Sequence, residues 1–156
     1  MKQILIALLF SLTALMAKVP VSIEIHSYHE IVLKDKSGKK VKKWVPVKKV
    51  VPGDIVKYVD TINNDTDKEL TDVKVKNPIN KNVVLVKGSE KSNAKFTTLY
   101  SIDGGKSYAT ADKLFIKGKN GVKKLATVKD YNALEFTVDK VPAHSKVDVE
   151  FKVKIK

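Results

Sequence analysis

Apolar and polar side chains alternate with a period of two through most of this chain, and nowhere do they repeat at the spacing of an amphipathic helix. The cleanest alternation is near the C-terminus. There Val147, Val149, Phe151, Val153 and Ile155 are separated by Asp148, Glu150, Lys152 and Lys154, which predicts a strand with one buried and one wet face. The chain is organised around an earlier stretch. In Val51-Pro52-Gly53-Asp54 the proline presets one backbone angle and the glycine supplies a positive φ, so a tight turn is expected. The β-branched run from Ile55 to Asn63-Asn64 then predicts a central strand.

Ahead of that strand, residues 19–33 predict one long strand or two short ones, 35–39 a turn, and 41–51 a lysine-rich returning strand. The returning strand carries Trp44, and Pro46 marks an edge or a break in its pairing. After the central strand comes a polar loop at 63–68, then an alternating segment at 70–76 that stops at Asn77-Pro78 and resumes at 82–86. A hairpin is expected around Asp103-Gly104-Gly105-Lys106, flanked by 94–102 and by the residues from Tyr108 onward, because adjacent glycines accept the left-handed angles of such turns. A second is expected around Lys119-Asn120-Gly121, between 114–116 and 125–128. Residues 129–133 invite a short helical turn, and a strand at 134–138 leads through Pro142-Ala143-His144-Ser145 to the last strand. About eight or nine short strands without an amphipathic helix predict an antiparallel β-sandwich.

The N-terminus departs from this pattern. Met1-Lys2, the apolar run 4–10 and the small residue ending Leu15-Met16-Ala17 predict a secretory signal peptide cleaved after Ala17. The run is too short, and too soon followed by Lys18 and Pro20, for a membrane span, and no later segment is apolar enough for one. Taking 17 residues from 156 leaves 139, the size of one domain. That domain comprises residues 18–50, N-terminal strands with the lysine-rich hairpin, and residues 51–156. The chain has no cysteine, hence no disulfide and no lipid anchor, and the mature protein is expected beyond the cytoplasm, in the periplasm or secreted.

Charge sharpens the question of partners. The formal net charge is +13, and all thirty basic residues are lysine. Arginine's planar fork is the preferred reader of phosphates and guanine edges, so a specific nucleic-acid site is not expected. Eight lysines lie from Lys34 to Lys49. They form either a solvated face that discourages edge pairing or, with Lys39, Lys40, Lys42 and Lys43 around Trp44 as a stacking surface, a patch for a polyanion.

Several motifs together resemble a known family. Val51-Pro52-Gly53-Asp54 with Val56-Lys57-Tyr58, Asn63-Asn64, and Thr71-Asp72-Val73-Lys74-Val75 resemble the opening of the domain of unknown function 11 family, a repeat domain of bacterial and archaeal envelope proteins. Val141-Pro142-Ala143-His144-Ser145 resembles its closing turn, so the similarity covers about 50–155. The resemblance implies an immunoglobulin-like β-sandwich with a structural or adhesive role and no catalytic residues. Pro52, Gly53, Asp54 and Tyr58 are then fold residues. Two positions depart from the pattern. Asp60 falls where the alternation calls for an inward apolar residue, and is a satisfied core acid, a sign of a bulge, or a site. His144 stands where the family's turn usually has glycine, and histidine tolerates the left-handed region.

Candidate chemistry is sparse. His26 and His29 are the weak metal candidates, but three residues apart on a strand they face opposite ways. Residues 63–69 cluster oxygens that calcium favours, without the glycine and distant glutamate of an EF-hand loop, and Asn64-Asp65-Thr66 is formally a glycosylation sequon. Ser101-Ile102-Asp103-Gly104-Gly105-Lys106-Ser107-Tyr108 is similar to the Asp-box hairpin, which makes Asp103, Gly104, Gly105 and Tyr108 structural. No nucleophile elbow, phosphate loop or acid pair with a base is present, and Ser145 beside His144 is a turn neighbour rather than a partner.

The expectation is therefore a non-catalytic, exported structural or protein-interaction module of the bacterial cell envelope, without a cofactor. Its partner would be an envelope protein. The alternatives are a binder of an anionic envelope polymer or glycan through the lysine hairpin, and a small periplasmic metal-binding protein.

Overall fold

The structure, a computed structural model, describes residues 20–156; the expected signal peptide, 1–17, lies outside the described residues. Eleven strands occur among them: β1 (Val21–Lys34), β2 (Lys40–Pro46), β3 (Ile55–Asn64), β4 (Leu70–Pro78), β5 (Val83–Leu85), β6 (Lys91–Ser92), β7 (Phe96–Ser101), β8 (Phe115–Lys117), β9 (Lys123–Leu125), β10 (Ala133–Val141) and β11 (Ser145–Ile155). The larger sheet runs β2-β1-β3-β11-β5, with β6 also on β11; the smaller runs β4-β10-β7, and β8-β9 is a separate hairpin. All pairings are antiparallel. The protein is all-β.

The turn that feeds β3 forms as the sequence requires. Asp54 N–H donates to the Val51 carbonyl at 3.1 Å, and Gly53 takes φ 98°, the angle that such a turn demands of its third residue. The Asp54 carboxylate accepts from Val51 N–H at 2.9 Å. Gly53 N–H donates to the Ile155 carbonyl, so the turn also fixes the end of β11. β3 is thus held between β1 and β11, and its even positions, from Val56 to Asn64, face the smaller sheet.

Alternation puts Ile62, Val147, Val149, Phe151 and Val153 on one wall of the core and Leu134, Phe136 and Val138 on the other. Phe136 spans the gap, with ring centroids 5.9 Å from Phe96 and 6.1 Å from Phe151. At one end Asn64 fastens the sheets together: its Nδ2 donates to the carbonyls of Lys68, Val141 and Pro142, and its Oδ1 accepts from Thr66. Because the Asn64 side chain is fully buried and committed in this way, the sequon at Asn64 is closed to a glycan in the folded chain.

Some expected boundaries shift. The returning strand at 41–51 stops at Pro46; Val47 N–H goes instead to the Ser27 carbonyl, and residues 47–50 leave the ladder with Val47 and Val50 packed against the core. β4 continues through Pro78, which pairs with Ala133 at a strand end where a missing N–H is tolerated. The Asp103 turn forms, but its second strand is reduced to a bridge between Tyr100 and Ala109. The helical turn expected at 129–133 is a turn at 128–130, while short 3-10 turns occur at Ala111–Lys113 and Lys119–Gly121. The strand count exceeds eight or nine because β5, β6, β8 and β9 are only two or three residues long.

Candidate interaction surface

β1 changes neighbours along its length. Residues 21–29 pair with β3 and residues 28–34 with β2, so from Val21 to Ser27 the edge turned away from β3 carries no strand. Along this stretch the Ser27 carbonyl is engaged by Val47 N–H at 3.1 Å. The three-stranded sheet also fails to reach over β1. Ile23 and Ile25 lie opposite Ile62 and Asp60, on the face that forms the core, yet they are 45% and 61% exposed, and Val21 is 37% exposed. The sequence reading did not single out these residues. A signal for them is present all the same: in a chain of thirty lysines, residues 19–33 contain none. Lysine is the usual guard of a sheet edge, so this edge lacks that guard and is apolar on the face of Val21, Ile23 and Ile25, while Ser22, Glu24 and His26 make its other face polar.

Next to Ile25 the gap between the sheets opens as an apolar groove of about 290 Å³, lined by Tyr58, Pro78, Ile79, Phe151 and Val153. Tyr58 and Phe151 stack within it at 5.3 Å and 20°. An open strand edge beside an apolar groove can take an extended segment, with main-chain hydrogen bonds supplying affinity and the groove supplying side-chain selectivity.

The lysine hairpin is divided between faces. Pairing of Trp44 with Glu30 and Lys42 with Val32 places Lys40, Lys42 and Trp44 on the outer face of the larger sheet, while Lys43, opposite Ile31, belongs to the other face. Lys39 closes the turn, donating its N–H to Asp35, whose carboxyl is held below its ordinary range first by the Ser37 hydroxyl and then by backbone N–H groups. Lys42 pairs with Glu30 at 2.8 Å. The Trp44 ring is met by the ammonium groups of Lys57 at 5.2 Å and Lys152 at 5.1 Å, and Lys57 also pairs with Glu150 at 3.4 Å. Lys39, Lys40, Lys42, Lys43 and Trp44 therefore do not form one uniform cationic surface.

His26, 3.6 Å from Glu24, lies on the outer face, and His29, opposite the buried Val56, lies on the other. The polar side chains of 63–69 diverge: Asn63 Nδ2 donates to Ser22 and Glu24 while its Oδ1 is buried without a partner, Asn64 turns inward, Asp67 meets His144 at 2.8 Å and Glu69 meets Lys140 at 2.8 Å. No group of three histidine or acidic side chains that could hold a metal occurs among the described residues. His144 has φ 52° at the closing turn, and Ser145 Oγ donates to the Pro142 carbonyl rather than meeting His144. The Asp-box builds a tight turn: Asp103 Oδ1 accepts from Ser101 Oγ and from the N–H groups of Lys106 and Ser107, and the Ser107 hydroxyl leads the effects that hold its carboxyl far below the usual range. A side chain at Gly105, which has φ 82°, would meet the Tyr108 hydroxyl at 2.8 Å.

Asp60 is buried in an unbroken register between Ile25 and Val149, so no bulge explains it. Asn77 Nδ2 donates to its Oδ2 at 2.6 Å across the sheets, and Oδ1 has no partner. Burial raises its carboxyl above the ordinary value, partly opposed by the Asn77 hydrogen bond. A raised folded-state value means the fold favours the neutral acid. The penalty is absent below the ordinary carboxyl range, grows as the pH rises from that range to the raised folded-state value, and is complete above it. Asp60→Asn keeps an acceptor for Asn77 and removes the charge, so it is expected to stabilise the protein by about 1 kcal/mol at pH 7. The advantage should vanish as the pH is lowered below the ordinary carboxyl range, as read from urea midpoints across pH. Equal stability of the two proteins at all pH values would show that the charge carries no cost.

Comparison with protein-family models, with curated proteins and with solved structures returned no match for this chain.

Proposed function

We propose that this chain is a non-catalytic module of the bacterial envelope, exported to the periplasm or beyond, which binds a protein partner by taking an extended segment onto the free edge of β1. The sandwich is read as immunoglobulin-like, in keeping with the resemblance of its turn and strand motifs to the domain of unknown function 11 family. The carrying observation is the lysine-free edge from Val21 to Ser27, exposed on its apolar face and adjoining the groove at Ile25. The partner segment would alternate, with an apolar side chain entering the groove and its other side chains meeting Ser22, Glu24 and His26. A polyanion or glycan site at Lys39, Lys40, Lys42, Lys43 and Trp44 has weaker support, because those lysines are split between faces and partly paired. A metal site at His26 and His29 has weaker support still, since the two rings belong to opposite faces.

A photo-crosslinking residue at Glu24 tests the reading in intact cells. A discrete protein adduct in the envelope fraction is expected, and the double variant Ile23→Lys, Ile25→Lys should abolish it. Both sites are exposed, so the variant is expected to stay within about 0.5 kcal/mol of the parent in stability. No adduct, or one that the double variant leaves unchanged, would contradict the proposal.

A further inference from the structure

A second hollow lies beside β7, the edge of the smaller sheet away from β4. It has a volume of about 380 Å³, near the lower end of the range for small-molecule sites, and its walls include Tyr100, Tyr131, Leu125, Ala126, Val128 and Glu90. Distant parts of the chain build it. β7 supplies Tyr100, the loop before β6 supplies Glu90, the end of β9 supplies Leu125, and the segment after β9 supplies Ala126, Val128 and Tyr131.

Its polar groups are few. The Tyr100 and Tyr131 rings stack at 4.5 Å and 17°, presenting an electron-rich aromatic surface. The Tyr100 hydroxyl donates to Glu90 Oε1 at 2.7 Å. Glu90 is half-buried, and among the described residues no cation lies within ion-pair distance of it. Tyr131 is only 8% exposed, and its hydroxyl has no hydrogen-bond partner among the described residues. Among the described residues the sealed side-chain atoms without partners are Asp60 Oδ1 and Asn63 Oδ1, so the Tyr131 hydroxyl keeps some accessible surface, and Tyr131 is one of the residues that line the hollow. Lys87 and Asp112 complete the rim with opposite charges, which leaves Glu90 to set the sign of the site. In a chain of net charge +13 that is a local reversal.

From these groups we infer that the hollow is a binding site for a small organic cation, an ammonium group on a compact apolar or aromatic body. The ammonium would pair with the unneutralised Glu90 carboxylate, the body would rest on the tyrosine wall and Leu125, and the Tyr131 hydroxyl would gain the hydrogen bond it lacks. Electron-rich aromatic faces attract such cations, and a half-buried carboxylate gains most from a partner that also excludes water. Nothing in this inference depends on the edge of β1.

The test uses three probes of one shape. Benzylammonium, benzyl alcohol and benzoate are each titrated at pH 7 into isotope-labelled protein, following the ring resonances of Tyr100 and Tyr131 and the methyl of Ala126. Benzylammonium is expected to shift these resonances saturably, at least tenfold more tightly than benzyl alcohol, and benzoate to leave them in place. Glu90→Gln, which keeps an acceptor for Tyr100, should reduce benzylammonium to the level of the alcohol. Lys87→Gln, which removes the competing charge on the rim, should tighten it. A general loss of folding would weaken binding in both variants and so cannot mimic this opposition. Equal binding of the charged and neutral probes, preference for benzoate, or no shift at these resonances with any probe would overturn the proposal.

Discussion

Replacing Asn64 with leucine is expected to lower the free energy of unfolding by about 3–5 kcal/mol, although the two side chains are close in size. Asn64 Nδ2 serves the carbonyls of Lys68, Val141 and Pro142 at 2.8, 3.1 and 2.9 Å, and Oδ1 accepts the N–H and hydroxyl of Thr66. Leucine would fill the space and leave those groups without partners, and the cost of a buried polar group left unpaired exceeds the net gain from pairing it. Asn64→Asp is the sharper control. It keeps the acceptor facing Thr66 but turns an oxygen toward three carbonyl oxygens, so it should be at least as damaging. Urea unfolding with an unchanged slope measures both. A loss of under about 1 kcal/mol for the leucine variant would mean that the end of the sandwich is held by something other than this side chain.

Phe136→Ala is expected to cost about 3–5 kcal/mol through a different mechanism, the loss of packing around a cavity that the neighbours cannot close. Phe136 is fully buried on β10, and the rings of Phe96 and Phe151 approach it from β7 and β11. Rigid sheets on both sides limit collapse into the space. Phe136→Leu should recover a large part of the loss. An alanine variant that unfolds at the same urea concentration as the parent would remove Phe136 from the core. By contrast Val32, exposed on the outer face of β1, should accept threonine within about 0.5 kcal/mol.

These two residues also mark how far the sequence could be read. The inward position of Phe136 follows from alternation in Leu134, Phe136 and Val138, and the same period placed Asp60 inside and told the buried face of β11 from the wet one. The Pro52-Gly53 turn and the left-handed His144 follow from backbone chemistry that is local to a few residues. What was not legible depends on where sheets end. The lysines of β2 look like one patch in sequence, but a strand sends neighbours to opposite faces, and whether a face is wet depends on the width of the sheet opposite. Ile23 and Ile25 alternate like core residues and would be core residues if the smaller sheet had a fourth strand over β1. The tyrosine-walled hollow was out of reach for a related reason: Glu90, Tyr100, Leu125 and Tyr131 meet only through tertiary folding, and none stands in a local motif.

Amide hydrogen exchange in the folded chain tests the open edge most directly. Amides of β3 and β11 pointing into the ladder on either side are expected to exchange only on global unfolding. From Val21 to Ser27 protection should alternate, with every second amide, the one turned from β3, exchanging almost as fast as in an unfolded chain. Uniform protection across those residues, or rapid exchange throughout β3, would contradict the account.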